Sequence, residues 1–238
     1  MNTNASTARL AGLLYLIVVL TGIFSLAYVP SQLIVAGDAA ATFERLVAGQ
    51  SLFRQGIAAG FVCYTAFLLL PLVLYRLLSP SGKTAAVLMV AFAIVSVPLS
   101  LVNLGHKLDV LTLISGADYL HVFTAEQLQT QVMLALAAYS SGLLVAKIFW
   151  GLWLLPFGYL VFTSRLLPRV LGLLLMAGCV GYLIDVAGRL LVPAYPDSLL
   201  ADYATRPAAL GEIGTCLWLL IFGARASAFT SDTTRRMT

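Results

Sequence analysis

From Leu10 to Val29 the chain runs twenty residues without a charge, and five further predominantly apolar runs follow, over residues 53–78, 84–104, 130–163, 170–192 and 208–229. A helix needs about 20 such residues to cross a hydrocarbon core ~30 Å thick. In that medium only an element that satisfies its own backbone hydrogen bonds persists, which favours helices for runs of this length. The pattern predicts an all-α integral membrane bundle of six transmembrane helices, one transmembrane helical domain over residues 1–238. Composition agrees: 61% of the residues are hydrophobic and 10% charged, against about 25% charged in a typical soluble domain.

The connections differ in length. Span one is expected to stop at Pro30, with a loop carrying Asp38, Glu44 and Arg45 leading to Arg54. Ser79-Pro80-Ser81-Gly82-Lys83 can only reverse the chain, making spans two and three an antiparallel hairpin. Span three ends in the polar stretch Gly105-His106-Lys107-Leu108-Asp109 before a further apolar stretch to Ile114. Asp118, His121 and Glu126 sit in the next loop, where Thr124 and Gln127 have the spacing of a capping box. Span four, 34 residues, exceeds one crossing, so it either protrudes or breaks near Gly142, Gly151 or Pro156. The turn Ser164–Arg169 leads to span five, and a loop with Pro193, Pro196, Asp197, Asp202 and Pro207 to span six.

Lys and Arg accumulate on cytoplasmic loops. Arg9, Arg76, Lys83, Arg165, Arg169, Arg225, Arg235 and Arg236 fall on one side, against Arg45, Arg54, Lys107, Arg189 and Arg206 on the other, which places both termini in the cytoplasm. Ser25-Leu26-Ala27 resembles a signal-peptide cleavage site, but the apolar run before it is longer than the usual signal core of about 7–15 residues. The net charge of +4 comes from residues scattered at span ends and gives no stripe for nucleic acid. Cys63, Cys179 and Cys216 lie within apolar segments and read as packing residues. The expected surroundings are the lipid bilayer of the cell membrane; no oligomeric state can be read from the sequence.

Charges inside the spans are the informative exceptions, because each costs at least ~2.5 kcal/mol unless paired, hydrated or functional. Lys147 lies 16 residues from Thr163 and Asp185 16 from Arg169, each ~24 Å along its helix at 1.5 Å per residue. They are predicted to pair. Asp185 and Arg189 share a helix face at i, i+4, and Gly178, Gly181 and Gly188 would let a neighbouring backbone approach. Glu212 stands on span six as a partner for Arg189. Asn103, His106 and Lys107 are neighbours on span three, with Asp109 one turn beyond His106, and Arg54 opens span two. The candidate cluster is therefore Arg54, Asn103, His106, Lys107, Asp109, Lys147, Asp185, Arg189 and Glu212. Two readings stand: ion pairs that fix helix register, or a polar pocket opening to the outer face.

Other chemistry is weakly signalled. His106 and Asp109 on one helix turn, with His121 from the outer loop, could supply metal ligands, but two histidines in all, with no HExxH motif and no cysteine cluster, signal such a site only weakly, and no cofactor is indicated. Ser140 and Ser141 lack a GxSxG elbow. Trp150, Trp153, Tyr159 and Trp218 suit packing or interface anchoring.

Phe149-Trp150-Gly151-Leu152-Trp153-Leu154-Leu155-Pro156-Phe157-Gly158-Tyr159, then Ser164-Arg165 and Leu167-Pro168-Arg169-Val170-Leu171-Gly172, resemble the core signature of the DUF4386 family. So do Ala8-Arg9-Leu10-Ala11-Gly12-Leu13-Leu14-Tyr15 and residues Asn103 to Leu108. The resemblance implies a multi-pass membrane protein of a class named for its unknown function, and it brings no catalytic residue with it. Three functions remain open. The chain binds a small or lipidic ligand in the polar pocket; or it is an enzyme on a lipid-type substrate, with His106 or Asp109 as acid or base and Lys147 or Arg189 on an anionic head; or it is a small-solute transporter.

Overall fold

The computed structural model describes residues 3–224, and among them there are helices and turns but no strand. Five helical runs are long and apolar enough to cross a membrane: Ala5–Leu33, Gln50–Ser81, Lys83–Leu113, Ala125–Ser164 and Arg169–Leu191. Their side chains are apolar on the outside as well as the inside. Val102, Leu190 and Leu191 are each more than 70% exposed, the pattern of helices whose solvent is lipid.

The first run is α1 (Thr3–Ile23), a π-helical turn (Phe24–Tyr28) and α2 (Val29–Leu33). It does not stop at Pro30 as expected. In a regular α-helix the proline ring would press on the carbonyl four residues back; the wider π turn, with Val29 N–H on the Phe24 carbonyl, carries the chain past it. The stretch expected to be a loop contains α3 (Ala39–Ala48). Asp38 caps it by accepting from Ala41 N–H at 2.9 Å, and Thr42 and Leu46 are its buried side chains. Its short apolar face, not its overall hydrophobicity, makes it helical.

Helices α4 (Gln50–Leu78) and α5 (Lys83–Asn103) form the predicted hairpin, joined by a 3₁₀ turn at Ser79–Ser81. Past Leu104, α6 (Gly105–Leu113) continues the run well beyond the expected end at residue 104, after a tight turn in which Lys107 N–H bonds the Leu104 carbonyl at 3.0 Å. The capping box at α7 (Ala125–Leu152) is present in both directions: Thr124 N–H donates to Gln127 Oε1 at 2.8 Å, and Gln127 N–H to Thr124 Oγ1 at 3.3 Å.

The long fourth run is broken, at Trp153, and α8 (Leu154–Ser164) follows. Pro156 has no N–H for the Leu152 carbonyl, so the ladder lapses there. Gly142 is no break; it lies inside α7. Arg165 in the left-handed region ends α8 and α9 spans Arg169–Leu191. After α10 (Leu199–Tyr203), α11 runs Arg206–Ile221, 16 residues, and Gly223 at φ +66° stops it short of the expected residue 229. Positions 225–229 of that expected span, and Arg225, Arg235 and Arg236 of the charge count, lie outside the described residues.

The chain divides into two compact units. The first comprises the residues up to Leu16, Leu69–Ile94 and those from Lys147 on; the second comprises Ile17–Leu68 and Val95–Ala146. In the first unit, α9 packs on α8 and α11 through small residues. A Cβ on Gly158 would come 2.6 Å from the Gly172 carbonyl, and one on Gly178 would come 2.6 Å from Ala208 Cα. Tyr15, Trp153 and Phe157 form a buried aromatic group, the last two stacked at 5.0 Å. In the second unit, Val29, Leu33, Leu46, Phe53, Val110 and Leu136 belong to one apolar core.

Candidate functional site

The nine candidate residues fall into two groups, one in each unit. In the first unit, the predicted pair is present: Lys147 Nζ lies 2.8 Å from Asp185 Oδ2. Arg189 does not pair with Glu212. Its Nε reaches back one helical turn to Asp185 Oδ1 at 2.9 Å, because an i, i+4 partner on the same helix needs no help from a neighbour. Glu212 instead accepts from the Tyr15 hydroxyl at 3.0 Å. The Asp185 carboxylate is buried, so both its oxygens are committed while the two cations keep part of their side chains exposed. Gly188, one residue before Arg189, is covered by the Tyr195 ring. Burial pushes the Tyr195 hydroxyl above its ordinary range, and the nearby Asp185 charge adds to the shift.

The second unit treats its charges differently. Asn103 and Lys107, one turn apart, both point inward and are buried. His106 and Asp109 point away, joined at 3.4 Å on a well-exposed face, and Arg54 is exposed at the start of α4. Asn103 Nδ2 donates to the Tyr139 carbonyl at 2.9 Å, and its amide fills the space beside Gly142. Lys107, 3% exposed, has its Nζ 3.2 Å from the Ser25 carbonyl and 4.4 Å from the centroid of the Tyr139 ring.

Local structure explains the first of those contacts. Val29, the α-register donor for the Ser25 carbonyl, gives its N–H to Phe24, and the π-register donor would be Pro30, which has none. Lys107 supplies the missing donor. Tyr139 was not singled out from the sequence; its partners lie 36 and 32 residues away along the chain, and only the spacing of Asn103 and Lys107 hinted at a shared inward face.

Beside Lys107, the second unit holds a cavity of about 330 Å³, lined chiefly by apolar side chains such as Val29, Leu33, Phe53, Met133 and Leu136, with Tyr139 and Ser140. Neither His106 nor Asp109 lines it. Among the described residues, no group of three or more His, Cys, Asp or Glu side chains is placed to hold a metal ion. Cys63, Cys179 and Cys216 are buried, none of them in a disulfide.

No curated protein and no solved structure matches the chain. A family does: residues 10–223 match the family described as "Domain of unknown function (DUF4386)". That match takes in the apolar helices, the break at Trp153 and both polar groups. The chain is a helical membrane protein and belongs to the DUF4386 family.

Proposed function

We propose that the protein is a six-span, single-domain component of the cell membrane with both termini in the cytoplasm, and that it binds a lipidic ligand in the cavity beside Lys107. The observation that carries the reading is the cavity itself. It is a half-open cleft of about 330 Å³, within the usual range for small-molecule sites. Its walls are mainly apolar, with few polar groups to fix an orientation.

Of the nine candidates, Lys107 belongs to this site directly and Asn103 positions its Tyr139 wall. Lys147, Asp185, Arg189 and Glu212 hold the first unit together: each oxygen of Asp185 has a cation, and Glu212 has the Tyr15 hydroxyl. An enzyme using His106 or Asp109 finds no support in the lining of the cavity, and no observation favours a transporter. The six-span orientation is supported by the Lys and Arg bias and by α11, which covers the first part of the sixth apolar run.

The test is the lipid that leaves the membrane with the protein. Mass spectrometry of extracts from the purified chain should identify a copurifying amphiphile, and Ala137→Trp, at an exposed position of the lining, should reduce it several-fold at unchanged yield. An identical lipid content in the two proteins would refute the site.

A further inference from the structure

Buried charge is compensated in one unit and left uncompensated in the other. In the first unit Asp185 is met by two cations at 2.8 and 2.9 Å. In the second, Lys107 is more deeply buried than either of them, yet its contacts are a neutral carbonyl and a ring face. The carboxylates of that unit, Asp38, Glu44, Asp109, Asp118 and Glu126, are all exposed, and none lies within ion-pair distance of Lys107. An ammonium carries three donors, and among the described residues one acceptor is found for them. A buried cation without a counter-charge is strongly unfavourable. The second unit provides room for a counter-charge from outside, because Lys107 lines the apolar cavity.

We infer that the ligand is a single-chain amphiphile with an anionic head, its apolar chain in the cavity and its head against the Lys107 ammonium. The inference rests on the proposed function, since it specifies the class of ligand for that same cavity. The volume of the cleft, about 330 Å³, suits one acyl or alkyl chain. The Tyr139 ring backs the ammonium and is held by Asn103 through its own backbone carbonyl. The Ser25 carbonyl, which Pro30 and the π turn leave without a backbone donor, anchors the ammonium.

Two probes of one chain length separate head from tail. Purified protein in a neutral maltoside is titrated with dodecanoate and with dodecanol, and binding is read from the rise in thermal midpoint, which grows with ligand concentration over Kd. We expect dodecanoate to bind about tenfold tighter or more, the gain of one charge-assisted hydrogen bond. In Lys107→Met the two probes should bind alike, with dodecanol unchanged from the parent. Equal binding of acid and alcohol to the parent protein would overturn the anionic head and leave the apolar site standing. A preference for the acid that survives in Lys107→Met would also overturn it. No binding of either probe would remove the proposed site itself. Should Lys107→Met fail to fold, Lys107→Gln takes its place, and equal binding of acid and alcohol to the parent overturns the inference without any variant.

Discussion

Asp185 serves two cations, and that doubling ranks the substitutions around it. Asp185→Asn strands Lys147 and Arg189 together and should destabilise the protein by about 3–5 kcal/mol, the scale for breaking a buried pair from one side. Lys147→Met leaves Arg189 on the carboxylate and should cost clearly less; thermal unfolding in detergent measures both. If the lysine substitution proves the more damaging, the pairing described here does not hold the helices. Gly142 gives a second residue-scale test. A methyl group there occupies the place of the Asn103 amide, so Gly142→Ala should displace it and lose about 1–2 kcal/mol through the broken bond to Tyr139. With Asn103→Ala already present, the same change should do little, and a double-mutant cycle reads the coupling. These contacts were only partly legible in the sequence. The Lys147–Asp185 pair followed from equal counts along two helices, whereas the partner of Arg189 was missed because a same-helix carboxylate competes better than one on a neighbour.

Helices were legible wherever apolar runs exceeded the thickness of a bilayer, because no other element buries its backbone there. Their irregularities were not. Pro30 reads as a stop, yet a π turn absorbs it; α3 is too short and polar to announce itself beyond the cap at Asp38; and three candidate breaks in the fourth run were equivalent until Pro156 was seen to free the Leu152 carbonyl. Contacts between elements depend on the backs of glycines. Gly158→Ala sets a Cβ against the Gly172 backbone and should destabilise the α8–α9 pair by about 1–3 kcal/mol, as overpacking does. Gly105, where an added Cβ meets nothing within 4 Å, should behave oppositely. Gly105→Ala should gain up to about 1 kcal/mol from helix propensity alone, and the two midpoints compared in one detergent test both statements.

For the whole molecule, orientation can be read in intact cells. With the native cysteines buried, a membrane-impermeant maleimide should label Ser115→Cys without permeabilisation and Ser81→Cys only after it. A C-terminal epitope should likewise require permeabilisation if the chain crosses six times; exposure in intact cells would mean five. The order of synthesis adds a constraint that the folded contacts do not display. Arg189 and Asp185 emerge together on one helix, but Lys147 precedes its carboxylate by 38 residues, about 2–8 s at 5–20 residues per second. During that interval α7 carries its ammonium without the carboxylate it will pair with. Asp185→Asn, which removes that carboxylate altogether, should therefore lower the yield of membrane-inserted α7 during translation.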